Sequence, residues 1–277
     1  ESWLDARMES LSVQLEDIRS MLLSREIQKT LEEIAIRLKG LVREDDIISV
    51  LDSFPRIKDV GQEIRKLNNR ANLEMHSLTR QIENLKRRYT SLSQRAQGLD
   101  ISLSCPGLGD QIDSLGEKDS HKTLEEAQSQ AEGIEDFLKR KEDAFIRSCE
   151  RRFHEIENFC RRANDILALY PERTCSLPSF VDSSIEGASE ALNLLKAQED
   201  KLTENLTTTR EELNAQLEEF KARLLDLNTN KLLPEHQQAC QDLLEIIENR
   251  KNTDNLLDST SQIMGVVREC EMFFGNL

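Results

Sequence analysis

The chain has 277 residues, 32% of them charged and 4% aromatic, with 37 Lys and Arg against 52 Asp and Glu and a formal net charge of −15. Ten Gly and five Pro supply few turns, and so little aromatic core argues against a catalytic domain; the balance suits long amphipathic helices with a narrow apolar seam. No window approaches ~18 uninterrupted apolar residues and no leader pattern is present, so the sequence predicts neither a membrane span nor an export signal in this segment.

The chain begins at Glu1 without Met, so a segment of a longer protein is expected. Apolar residues then recur three and four apart, the spacing of helices packed at coiled-coil geometry. The first run is Leu4, Met8, Leu11, Leu15, Ile18, Leu22; after a one-residue slip it resumes at Ile27, Leu31, Ile34, Leu38, Leu41. One long helix to about Arg43 is predicted, with a turn at Glu44-Asp45-Asp46. A second helix, about 47–72, carries Ile48, Leu51, Ile57, Val60, Ile64 and Leu67, with Pro55 as a kink or a start. The third runs on Met75, Leu78, Ile82, Leu85, Tyr89, Leu92, Ala96, Leu99 and Leu103. It stops before Cys105-Pro106-Gly107-Leu108-Gly109.

Beyond that break, a long pattern from Leu124 to Tyr170 ends at Pro171–Pro178, and another spans about 182–228. Pro234 suits the first turn of a last helix whose seam includes Leu243, Ile247, Leu257, Met264 and Val267. Six helices thus group as three plus three, with short connections that make neighbours antiparallel. The predicted fold is all-α without a sheet: a rod of tandem three-helix bundles over 1–105 and 120–277, the second one longer. Residues 106–119 are expected to form a hinged linker.

The first unit resembles a spectrin repeat. Trp3-Leu4 matches that family's habit of placing a Trp on helix A, and residues 78–92 resemble its helix C, with Tyr89 near the middle of a Leu-lined seam. The resemblance implies that Trp3, Leu85 and Tyr89 belong to the bundle core, Trp3 and Tyr89 sharing a layer. The second unit has no Trp, and the break at 105–119 departs from the continuous helix that joins spectrin repeats. Among families with divergent spectrin-like repeats, the nesprin-type proteins of the outer nuclear membrane fit first, with dystrophin, plakin and spectrin relatives close behind.

No catalytic, metal or cofactor site is expected. His154-Glu155 begins like a zinc-protease helix, but Asn158 stands where the second His is needed. The six Cys form no C-x-x-C pair and suit a reducing compartment. The sequon Asn205-Leu206-Thr207 lies mid-helix and reads as a chance match. Basic clusters, including Lys139-Arg140-Lys141 and Arg161-Arg162, are interleaved with acids and read as ion-paired surface rather than a nucleic-acid footprint. A docking-motif role for Trp3 is the weaker alternative to core packing.

Charge divides the chain. Residues 1–105 hold seventeen cations and seventeen acids, so the whole net charge lies in 106–277. Glu211, Glu212, Glu218 and Glu219 are the candidate partner-binding acids, set beyond the seam of Leu213, Leu217 and Phe220. The expected function is a spacer and docking segment of a cytoskeletal linker in the cytoplasm. Its partners would be cytoskeletal or motor proteins and other helical rods, with self-association open. It would be anchored, in the nuclear-envelope case, by a region outside this segment. The alternatives are a coiled-coil tethering-complex subunit and a BAR-type dimer, the latter disfavoured by the acidic charge.

Overall fold

The computed structural model of the protein describes residues 2–41, 47–181, 183–227, 232–249 and 255–277. The fold is all-α, with no strand among the described residues. The helices are α1 (Ser2–Arg19), α2 (Arg25–Gly40), α3 (Ile47–Gly98), α4 (Leu108–Ser114), α5 (Leu124–Ile166), α6 (Ile185–Asp226), α7 (Pro234–Glu248) and α8 (Leu256–Asn276). Two compact units, Glu1–Phe145 and Ile146–Leu277, divide the chain inside α5. Buried positions Leu124, Ala131, Leu138 and Phe145 keep a seven-residue repeat up to that point. Two steps of four, through Cys149 to Phe153, then reset the phase, and Cys160 and Leu167 continue it. Such a stutter is what a change of packing partner requires.

In the first unit the expected single helix to Arg43 is two helices. The slip between Leu22 and Ile27 is a chain reversal: Ser20 N–H still donates to the Glu16 carbonyl, but the Leu23 carbonyl accepts instead from Leu124 N–H at 3.0 Å. Ser24 then caps α2 by accepting from Ile27 N–H. The turn at 44–46 lies outside the described residues.

Conversely, the two helices expected over 47–72 and 75–103 are one, α3, which continues through Pro55. Its buried residues Ile57, Ile64, Ala71, Leu78, Leu85 and Leu92 stand seven apart, and buried Leu99, just past its end, keeps the spacing. The first half of α3 completes an up-down-up trio with α1 and α2. Antiparallel pairing of α2 with α3 is marked by Glu26 on Arg70 at 2.6 Å and by Arg37 on Glu63. Trp3 meets Phe54 and Leu22 meets Leu78, so α1 runs parallel to α3.

The second half of α3 enters another up-down-up arrangement, with α4 and the start of α5. Gly109 lies against Tyr89 and Gly116 against Ile82, so α4 descends beside α3; Leu124 meets Leu78 while Glu135 and Glu142 reach Arg88, so α5 ascends. Thr123 opens α5, its hydroxyl accepting from Glu126 N–H at 3.3 Å while the Glu126 carboxylate accepts from Lys122 N–H at 3.0 Å.

The expected hinge at 106–119 is therefore packed. Leu108, Ile112 and Leu115 of this segment are buried. A Cβ on Gly109 would touch Tyr89 and one on Gly116 would touch Ile82. Gly107 caps α4 in the left-handed region, at φ 69°. Gly107→Ala is accordingly expected to destabilise the first unit by about 1–2 kcal/mol, the cost of a Cβ in that conformation, in urea denaturation.

In the second unit the connection after α5 is not a short turn. Two 3-10 turns, Leu167–Leu169 and Pro171–Arg173, reverse the chain, and the stretch after them folds back along α5. Asn164 clamps it, donating to the Cys175 carbonyl at 2.8 Å and accepting from Cys175 N–H at 2.9 Å; Phe180 then packs on Phe153 with ring centroids 5.3 Å apart. Because this strap makes the return journey, α6 runs parallel to α5 rather than antiparallel as expected. Ile166 and Tyr170, at the end of α5, reach the cluster around Leu213 and Leu217.

Instead of one last helix there are two. Asn249 closes α7, and Asn255 opens α8 by accepting from Leu257 and Asp258 N–H. α7 runs against α6, with Cys240 near the Leu224 carbonyl and Glu248 on Lys221 at 3.3 Å. α8 runs with α6, from Asp258 on Arg162 at 2.8 Å to Phe274 stacked on Phe220.

Candidate interaction surfaces

All six Cys are free thiols, and burial pushes Cys149 and Cys160 up to about 11, away from the thiolate that nucleophilic or metal-binding roles need. Cys240 and Cys270 are raised for the same reason. No group of three or more His, Cys, Asp and Glu fit for a metal ion occurs among the described residues. Nor is any described helix long and apolar enough to cross a membrane. Asn205 of the sequon donates to the Arg173 carbonyl at 2.6 Å, so its amide is spent on holding the strap.

Leu85 is buried on α3 and Tyr89 is half-buried over α4, but Trp3 is 56% exposed. The expectation that Trp3 fills a core layer is corrected. Leu4 and Met8 carry the start of the α1 seam, and Trp3 lies one residue, or about 100°, to its side. It stacks instead on Phe54, itself exposed, with centroids 4.7 Å apart and planes 10° apart. Tyr89 follows Phe54 by 35 residues on the same helix, about 52 Å at the α-helical rise, so the two aromatics cannot share a layer. Trp3→Ala should cost about 1–2 kcal/mol in denaturant titration, for half-covered area and one stacked pair, not the 3–5 of a buried aromatic.

Of the four candidate acids, Glu211, Glu218 and Glu219 are exposed as expected. Glu212 is committed. Arg173 holds it with two bonds of 2.8 and 2.9 Å and also donates to the buried Thr209 hydroxyl at 2.8 Å. The Tyr170 ring lies 5.2 Å beneath the guanidinium. Arg173 comes from the return turn, so nothing within the α6 sequence announces that Glu212 is spoken for.

The Arg173 bond holds the Glu212 carboxyl below its ordinary range, as Arg70 does for Glu26 and Arg161, with His154, for Glu157. Carboxyls depressed in the folded state stabilise it above the unfolded value near 4.5, and that stability is lost as pH falls through the folded values. Melting temperature should therefore drop as pH falls from 6 to 3. Glu212→Gln should flatten the slope for the second unit.

A groove of about 670 Å³ lies on the first unit between the chain entering α4 and one stripe of α5. Pro106, Leu108, Ile134, Phe137, Arg140 and Lys141 are among its lining residues. Gly133 lies on the same stripe, and a Cβ there would meet nothing within 4 Å. Of the neighbouring acids that make this cluster look neutralised in sequence, Glu135 and Glu142 are turned away, while Asp136 and Asp143 are exposed. Glu142 accepts from Arg88 at 3.0 and 2.8 Å, and Glu135 from the same guanidinium at 3.2 Å. Arg140 meets Asp136 only through its backbone carbonyl, at 3.3 Å, and Lys141 stands 5.2 Å over the Phe137 ring.

Comparison with known protein families, with curated proteins and with solved structures returns no match for this chain.

Proposed function

We propose that the protein is a spectrin-like spacer and docking segment of a cytoskeletal linker, of the class that includes nesprin-type proteins of the nuclear envelope. The observation that supports this reading is helix α3, which serves as the last helix of one three-helix arrangement and the first of the next. A helix shared in this way couples the two arrangements through unbroken backbone hydrogen bonds, which suits a part that carries load. The exposed acids Glu211, Glu218 and Glu219 offer an electrostatic contact for a basic partner.

Pull-down from cytosol with the intact chain tests the reading at low and high ionic strength. Recovery of cytoskeletal or motor proteins is expected, weakening with salt because screening shortens to about 8 Å near 0.15 M. It should fall when Glu211, Glu218 and Glu219 are replaced by Gln. Recovery of no cytoskeletal or motor protein at low salt would overturn the cytoskeletal reading.

A further inference from the structure

We propose that the groove between the α4 entry and α5 receives an acidic amphipathic helix of a partner protein, its apolar side chains over Phe137 and its carboxylates on Arg140 and Lys141. The proposal stands apart from the spacer reading, since a chain that spaces nothing can still hold a peptide here.

Three observations carry it. The groove is open and of the size range that ligand sites occupy, and the half-buried Phe137 gives it apolar surface beside the buried Leu108 and Ile134. Its α5 side is a stripe of residues three and four apart, which is the complement an incoming helix needs for ridge-and-groove packing. Gly133 sits ten residues inside a helix, where Gly is costlier than Ala, yet the chain puts nothing over it. A backbone approaching from outside would use that space.

The charge identifies the occupant. Arg88 draws Glu135 and Glu142 to the α3 side, so neither carboxylate neutralises the groove. Among the described residues the terminal nitrogens of Arg140 have no hydrogen-bond partner and the Lys141 ammonium has no ion pair, standing 5.2 Å over the Phe137 ring. Two adjacent cations beside apolar surface select carboxylates, in bidentate form at Arg140. The chain as a whole is acidic and repels such a partner at long range. Near 0.15 M salt that repulsion is screened and the local pairs remain.

The test is selection from a displayed library of helical peptides against the full chain at 0.15 M salt, with Gly133→Trp as the counter-selecting variant. Enriched sequences are expected to carry an excess of Asp and Glu and apolar residues three and four apart. A synthetic peptide of the enriched sequence should bind at least about tenfold more weakly to Gly133→Trp and to the Arg140→Glu, Lys141→Glu double variant, one decade being 1.4 kcal/mol. Binding to Gly133→Ala should be retained. If Gly133→Trp fails to fold by circular dichroism, the double variant decides alone, its charges being on the surface. No enrichment, enrichment of basic or neutral peptides, or binding indifferent to the double variant would overturn the proposal.

Discussion

Leu73→Pro is expected to destabilise the first unit by about 3 kcal/mol or more, while Leu73→Ala should change little. The Leu73 side chain is 70% exposed, so the change removes almost no packing. Its cost is in the backbone: Pro deletes one hydrogen bond of α3 and its ring clashes with the preceding turn. The experiment separates two structures directly. If a helix ended at Asn72 and another began at Met75, Pro at 73 would sit in a connection and be tolerated. In the continuous α3 it stands mid-helix, twenty-six residues from the start of a 52-residue element. Chemical denaturation of residues 1–145 in the intact chain, followed by Trp3 fluorescence and by far-ultraviolet circular dichroism, gives the measurement. A loss below about 1 kcal/mol would mean that the helix is broken there.

The second large effect belongs to Phe153. Its ring is fully buried on α5 and packs on Phe180 of the return strap. Phe153→Ala should cost the second unit about 3–5 kcal/mol, from lost transfer energy and the cavity left behind. Phe180 is only half-buried, so Phe180→Ala should cost clearly less. The two changes should be less than additive when combined, because each removes the same ring contact. Limited proteolysis supplies a second readout: with Phe153 truncated, cleavage within 174–181 should accelerate before the rest of the unit opens. Equal resistance of that strap in wild type and variant would count against its docking on α5.

The all-α fold was legible because three-four periodicity is a local property of the chain. Where the helices begin and end was less so, and the reasons differ by element. At Leu22–Ile27 the apolar pattern loses one residue, which a long helix and a reversal both explain. The deciding partners are Leu124 N–H and the buried contacts of Leu78, each remote in sequence. At 73–74 the opposite error arises. Nothing there is a helix stop, and the seven-residue recurrence from Ile57 through Ala71 to Leu78 carries on across it.

Gly107 and Gly109 did mark a turn, but the same turn residues serve a hinge and the tight entry to a packed helix. The buried Leu108, Ile112 and Leu115, spaced three and four apart, distinguish the two. The site was harder to read. Arg140 and Lys141 looked neutralised because their sequence neighbours are acids, and only the long reach of Arg88 from α3 shows where Glu135 and Glu142 point. Glu212 fails in the mirror sense, looking available until Arg173 is brought to it by a strap with no helical pattern.

The strict recurrence in α3 also limits how its length can vary. Removing one residue between Ala71 and Leu78 would rotate Leu85, Leu92 and Leu99 by about 100° out of the seam. Removing seven would return every one of them to a buried position with a rotation of only about 20°. Insertions and deletions in this helix are thus tolerated in sevens and penalised otherwise. Homologous chains, when aligned over α3, should differ in length there by whole heptads, while exposed substitutions such as those at Leu73 or Arg80 accumulate freely between them.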